Sequence, residues 1–132
     1  MTRIIYNDII PFKGFKAITV LPFVFARNKR DGQKLTDVDI NHERIHIEQQ
    51  KEVLLVGILF GTLTALLTMS WWSLLWLPLY FWWYITEWMI RLFMKGNAYR
   101  NISFEQEAYG NEQDIRYLDN RQPFAWTHLV GK

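Results

Sequence analysis

The chain has 132 residues and a formal net charge of +2; half its residues are hydrophobic, 17% are aromatic and none is cysteine. That length holds one domain and not two comfortable ones. So small a charge leaves no footprint for nucleic acid, and the lack of cysteine excludes disulfides and thiolate metal sites.

The first twelve residues, MTRIIYNDIIPF, contain no apolar run of signal-peptide length. Residues 9–27, IIPFKGFKAITVLPFVFAR, are rich in Ile, Val, Phe and Thr and are punctuated by Gly14 and Pro22. They predict one or two short strands, a small hairpin or sheet within a β element over residues 1–35. RNKRDGQK, residues 27–34, reads as a polar turn around Asp31-Gly32. Thr36 and Asp39 form T-x-x-D, a helix start.

No proline interrupts the chain from there to Pro78, so one helix over residues 36–69 can run from NHERIHIEQQ into VLLVGILFGTLTALLTM. Residues 53–86 contain no Asp, Glu, Lys or Arg, a run of 34. As one helix it would overshoot a bilayer core of about 30 Å, whereas two spans joined at SWWS, residues 70–73, would match it. A second span is expected over 74–95, with Pro78 in its first turns and Lys95-Gly96-Asn97 as its stop. Trp71, Trp72 and Trp76 suit one membrane interface; Trp88, Arg91 and Lys95 suit the other. The alternative is a hairpin buried in a soluble core, which so short a chain could hardly cover. The turn is uncharged and the basic residues flank both spans, which by the positive-inside tendency puts both termini in the cytoplasm. Glu87 and Arg91, four apart, read as an ion pair snorkelling to the interface.

A further helix is expected over 103–118. Ser103 and Gln106 make an S-x-x-Q capping box, and Phe104, Ala108, Ile115 and Leu118 fall on one face. The fold class is thus a mainly α membrane protein: a two-helix transmembrane hairpin extended by two polar helices, with a small N-terminal β element.

His42, Glu43 and His46 spell H-E-x-x-H. Residues four apart share a helix face, so both imidazoles can reach one zinc ion. Glu43 lies one position round, where its carboxylate can reach a zinc-bound water rather than the metal. Zinc hydrolases commonly take a third protein ligand. Glu105, Glu107 and His128 are the candidates, and a hairpin returns the chain to the side it left, which brings the acidic helix beside the first. Gln49 and Gln50 share the histidine face; they either bond substrate or the second helix, or form polar surface near the lipid boundary.

HERIHIEQQ followed by FEQEAY resembles the gluzincin zinc metallopeptidases, which carry H-E-x-x-H on one helix and a glutamate ligand, often in E-x-x-A-D, on another. With two membrane helices between, the arrangement is similar to the integral-membrane zinc endopeptidases of the prenyl-peptidase type. Small bacterial proteins share H-E-x-x-H-x-x-Q with a later F-E-x-E-A-Y. The resemblance covers about residues 36–118. It implies Glu105 as third ligand, with Ala108 small enough for close helix approach and Glu107 the competitor. Tyr109 departs from the pattern, which has an aspartate there to orient a zinc histidine. A tyrosine can hydrogen-bond a histidine or an oxyanion without charge, so Tyr109 joins Glu43 among the expected catalytic residues. The resemblance implies one zinc ion per chain, a peptide or membrane-protein substrate, and a bacterial inner membrane. Residues 18–26 either offer an edge for substrate held as an added strand or form a small packed cap over the catalytic helices. The competing expectation is a non-catalytic membrane protein that binds a partner through the same scaffold, with or without zinc.

Overall fold

The computed structural model describes residues 2–28 and 34–132. The core of the expected polar turn, Asp31-Gly32, lies outside the described residues. The protein is mostly helical, with one small sheet and one long apolar helix.

Residues 9–27 form the two expected strands, β2 (Ala17–Val20) and β3 (Phe23–Arg27), and a third, β1 (Arg3–Asn7), precedes them. β2 and β3 form a hairpin, and β1 lies parallel to β3 on its other side, in the order β1-β3-β2. Hydropathy did not mark RIIYN as a strand, because only its pairing with the distant FVFAR makes it one. Thr19, Val24 and Ala26 are buried, the alternation a half-covered sheet requires.

α1 (Asp37–Thr68) starts where T-x-x-D predicts: Thr36 accepts from the Asp39 amide, and the Asp39 carboxylate accepts from the Thr36 amide. The helix ends at Met69, in the left-handed conformation. Its 32 residues make it the one described helix long and apolar enough to cross a membrane, and only 11% of its apolar window is buried. A hairpin buried in a soluble core would leave that window covered.

The return is not one helix over 74–95. Ser70 caps a 3-10 segment, Trp71–Trp76, and α2 (Leu79–Arg91) begins only after Pro78. At 13 residues, α2 alone rises about 20 Å, short of a bilayer core. It also stops four residues before Lys95. Two glycines let this return lie close against α1. A Cβ at Gly57 would collide with the Trp76 carbonyl, and one at Gly61 would sit 3.2 Å from the Ser73 carbonyl oxygen. The Phe60 and Trp76 rings stack beside them.

α3 (Ser103–Asn111) is shorter than the expected 103–118 helix. The Asn41 side-chain amide donates to the Glu112 and Asp114 carbonyls at 2.9 and 3.0 Å, so α1 takes the groups a longer helix would need. Ile115 is exposed rather than on the core face, and only a short turn of helix, α4 (Tyr117–Asn120), follows. The S-x-x-Q capping box also fails. Ser103 is the first helical residue, and its amide and hydroxyl both donate to the Glu87 carboxylate, at 3.0 and 2.6 Å. Glu87 is therefore a buried joint between α2 and α3; Arg91 is buried beside it, so the two are not a snorkelling pair. Phe104, wholly buried, stacks on Tyr80 and packs against Trp126, with Val53 and Ile102 in the same core.

The glycine contacts predict an ordered pair of effects. Gly57→Ala should cost more than Gly61→Ala, with overpacking of about 1–3 kcal/mol at the tighter position. Thermal unfolding in detergent checks this; equal melting points for both variants and wild type would mean that the return does not lie against α1 there.

Candidate metal centre

α1 and α3 cross where both carry polar residues on an inward face. His42, His46 and Glu105 meet there, all buried, with one potential ligand atom each and all of these within 4.8 Å of one another. The Nε2 atoms of the histidines are 3.1 Å apart, and each lies 3.5 Å from a Glu105 oxygen. A tetrahedral ion bound at about 2.0–2.1 Å sets its ligands about 3.3 Å apart. The donor set therefore fits a metal ion. Glu105 Oε2 is buried without a hydrogen-bond partner, as a waiting ligand atom would be.

Each ligand side chain is aimed by a neighbour. His42 Nδ1 lies 2.8 Å from Glu112 Oε2, and His46 Nδ1 lies 2.8 Å from Gln49 Oε1. These contacts turn both Nε2 atoms toward Glu105, as outer partners of metal histidines do. Glu105 Oε1 accepts from the Tyr84 hydroxyl at 2.8 Å. Burial alone would lower the pKa of His46; the Glu105 charge and hydrogen bond, with Glu43 and Gln49, outweigh burial and raise it to about 9. Burial would raise the Glu105 pKa, and the two histidines and Tyr84 together pull it well below the usual carboxylate range.

Glu107 faces elsewhere. Its carboxylate accepts from Gln49 at 2.9 Å and from Tyr117 at 2.8 Å, and it pairs with Arg121, which also pairs with Glu52. It fastens α3 to α1 and to the C-terminal segment. His128 is exposed in the closing 3-10 segment, Ala125–Leu129. Gln49 and Gln50 are buried, not surface residues at a lipid boundary. Gln49 donates to the Phe104 carbonyl at 3.0 Å; Gln50 donates to the Thr19 carbonyl at 2.7 Å and accepts from the Leu21 amide at 2.8 Å.

A cavity of about 430 Å³ opens beside the group. Glu43, His46 and Glu105 form part of its wall, with Tyr84 and Tyr99; most of the remainder is apolar. Glu43 is held by the Thr19 hydroxyl, which donates to its Oε2 at 2.6 Å. Tyr99 is kept protonated by burial and by the Glu105 charge, both of which raise its pKa. Tyr109 is near but outside this wall: its ring and the His42 ring meet edge to face, centroids 4.7 Å apart, with the Arg100 guanidinium over the Tyr109 ring.

Sequence reasoning missed Glu112, Tyr84, Tyr99 and Thr19. Glu112 lies seven residues, two helical turns, after Glu105, and that spacing was a signal. Tyr80 and Tyr84, four apart in an otherwise apolar run, were another. Thr19 gave none, since a lone threonine in a strand is ordinary.

Compared with known protein families, curated proteins and solved structures, the chain matches none.

Equilibrium dialysis against zinc or cobalt should give one ion per chain. His46→Ala and Glu105→Ala should lose it. Glu112→Ala should weaken it by about 10–100-fold, the usual effect of losing an outer partner. Glu107→Gln should keep the ion and melt earlier, because Arg121 loses a partner. Full occupancy in both His46→Ala and Glu105→Ala would rule out the group as a metal centre.

Proposed function

We propose that the protein is a zinc-dependent membrane peptidase that hydrolyses a peptide bond near the cytoplasmic membrane surface. The observation that carries this is the presence of Glu43 in the cavity wall with His46 and Glu105. A site built only to hold a metal has no use for a further carboxylate at its open side. Two imidazoles and one carboxylate are a common zinc set that leaves a position free, and a zinc ion there lowers the pKa of water and polarises a carbonyl.

The chain's own groups supply the rest. Glu43, fixed by Thr19, accepts a proton from the water that attacks the peptide carbonyl carbon. When the carbon–nitrogen bond breaks, it passes that proton to the leaving amine. Tyr99, held protonated, can donate to the carbonyl oxygen as charge develops there. Tyr109 keeps the His42 ring in place from outside the cavity.

An extended substrate has an edge to lie on. Lys16 and Arg27 are joined through the Lys16 carbonyl, and β2 pairs with β3 in register, so Ala17 and Thr19 turn their backbone groups away from β3. Gln50 takes the Thr19 carbonyl and the Leu21 amide. The Ala17 amide and carbonyl and the Thr19 amide are left to pair with a peptide at the cavity.

In the membrane, α1 crosses and residues 71–91 return. Residues 73–79 lie along the apolar half of α1 at Gly57 and Gly61, and from Tyr80 onward α2 is level with the metal centre. Both termini are then cytoplasmic. His46 precedes Val53 by seven residues, about 10 Å along the helix, which holds the site close to that face.

Glu43→Gln is the deciding variant. Zinc-loaded protein in liposomes, mixed with solubilised membrane proteins, should generate new peptide N-termini detectable by mass spectrometry. Glu43→Gln should keep the zinc and lower their yield by about 10²–10⁴-fold, the contribution of a general base. If wild type generates none, and Glu43→Gln replaces it fully in cells, the chain is instead a non-catalytic binding protein on the same scaffold.

A further inference from the structure

At the level of the metal centre the two sides of the molecule differ. On α1, Arg44, Glu48 and Lys51 form an outward stripe, with Lys51 bridged to Glu48 at 2.7 Å. That side requires water. On the other side, α2 exposes Trp82, Ile85, Trp88 and Met89. These residues are level with the site, because Tyr80 reaches His46 and Tyr84 reaches Glu105.

The loop of residues 8–16, between β1 and β2, continues the apolar side. Ile9 is 81% exposed and Phe12 84% exposed, with Ile10 and Phe15 also uncovered. The loop is built, not slack. The Asn7 side chain accepts from the Ile9 and Ile10 amides at 2.8 and 2.6 Å, and Arg27 donates to the Pro11 carbonyl at 2.8 Å. Pro11 is buried beneath while Ile9 and Phe12 are held outward. Phe12 and Phe15 line one lip of the cavity; Phe81, Ile85 and Trp88 line the other. Lys13 at the loop tip, and Lys95 and Arg100 beyond α2, are exposed cations. Apolar anchors beside cations match a leaflet with anionic headgroups.

We propose that residues 9–15 and the exposed face of α2 are a wedge sunk into the cytoplasmic leaflet, so that the cavity opens sideways into lipid. The occupant of this surface is the bilayer itself. A substrate then enters from within the leaflet, between Phe12 and Trp88, and not from the water above. This rests on the membrane crossing proposed above and not on the hydrolytic reading.

The natural lack of cysteine allows a direct test. Phe12→Cys, Leu63→Cys and Gln113→Cys are each labelled with one environment-sensitive fluorophore. The full chain is placed in phosphatidylcholine–phosphatidylglycerol vesicles containing spin-labelled lipid. Position 63 reports the crossing and exposed Gln113 reports water. Position 12 should be quenched about twofold or more beyond position 113, as a group about 5–10 Å into the headgroup boundary would be. Quenching at 12 no greater than at 113, with 63 quenched, overturns the wedge alone. An unquenched position 63 overturns the crossing, and the wedge falls with it. Neither result touches the metal centre, which dialysis reads separately.

Discussion

A carboxylate that is 2% exposed must be compensated, and Glu105 is such a group. Removing a single charge from water costs several kcal/mol after relaxation. Two imidazoles and a phenol offset that cost, and they come from two helices: His42 and His46 from α1, Tyr84 from α2. Each compensating group needs its own support. His42 leans on Glu112 and His46 on Gln49. Gln49 is itself buried and held to α3 through Phe104 and Glu107. Glu107 requires Arg121, and Arg121 requires Glu52. The chain of partners starts at one buried charge and ends at the C-terminal segment. It explains why a molecule with so small an apolar core still holds four helical elements in a fixed relation.

The parts of this arrangement that repeat along a helix were legible in the sequence. Spacing of four placed His42 and His46 on one face, and the return of the chain brought Glu105 to them. What escaped was non-periodic. Glu87 looked like half of a surface pair because its second partner, the start of α3, is sixteen residues away. Ser103 looked like a cap because its residue type caps helices elsewhere; a carboxylate from another helix took that role. Hydropathy read residues 74–95 as one span because it counts apolar side chains and not backbone form. Pro78 and the tight approach at Gly57 divide that run into a 3-10 segment and a short helix.

α1 itself shows the limits of a single label for a helix. Its first four turns are an inward polar face that carries ligands, amide clamps and the Asn41 cap of α3. Its remainder is apolar and largely uncovered. No break separates the two regions, so the ligands are held at a fixed height on a rigid rod. Precision at the site is inherited from a long, continuous ladder of backbone hydrogen bonds; strand β2 adds Thr19, and the segments flanking α3 add Tyr99 and Glu112.

Gln50 has an effect beyond its own bonds. An edge strand presents a row of unpaired amides and carbonyls on which another chain can build. The Gln50 side chain copies a neighbouring strand for one step and stops there, which leaves β2 three usable groups at most. That template is long enough to seat a short segment and too short to propagate a sheet from copy to copy. On the β2 edge a single glutamine thus shortens the template on which a second copy could build.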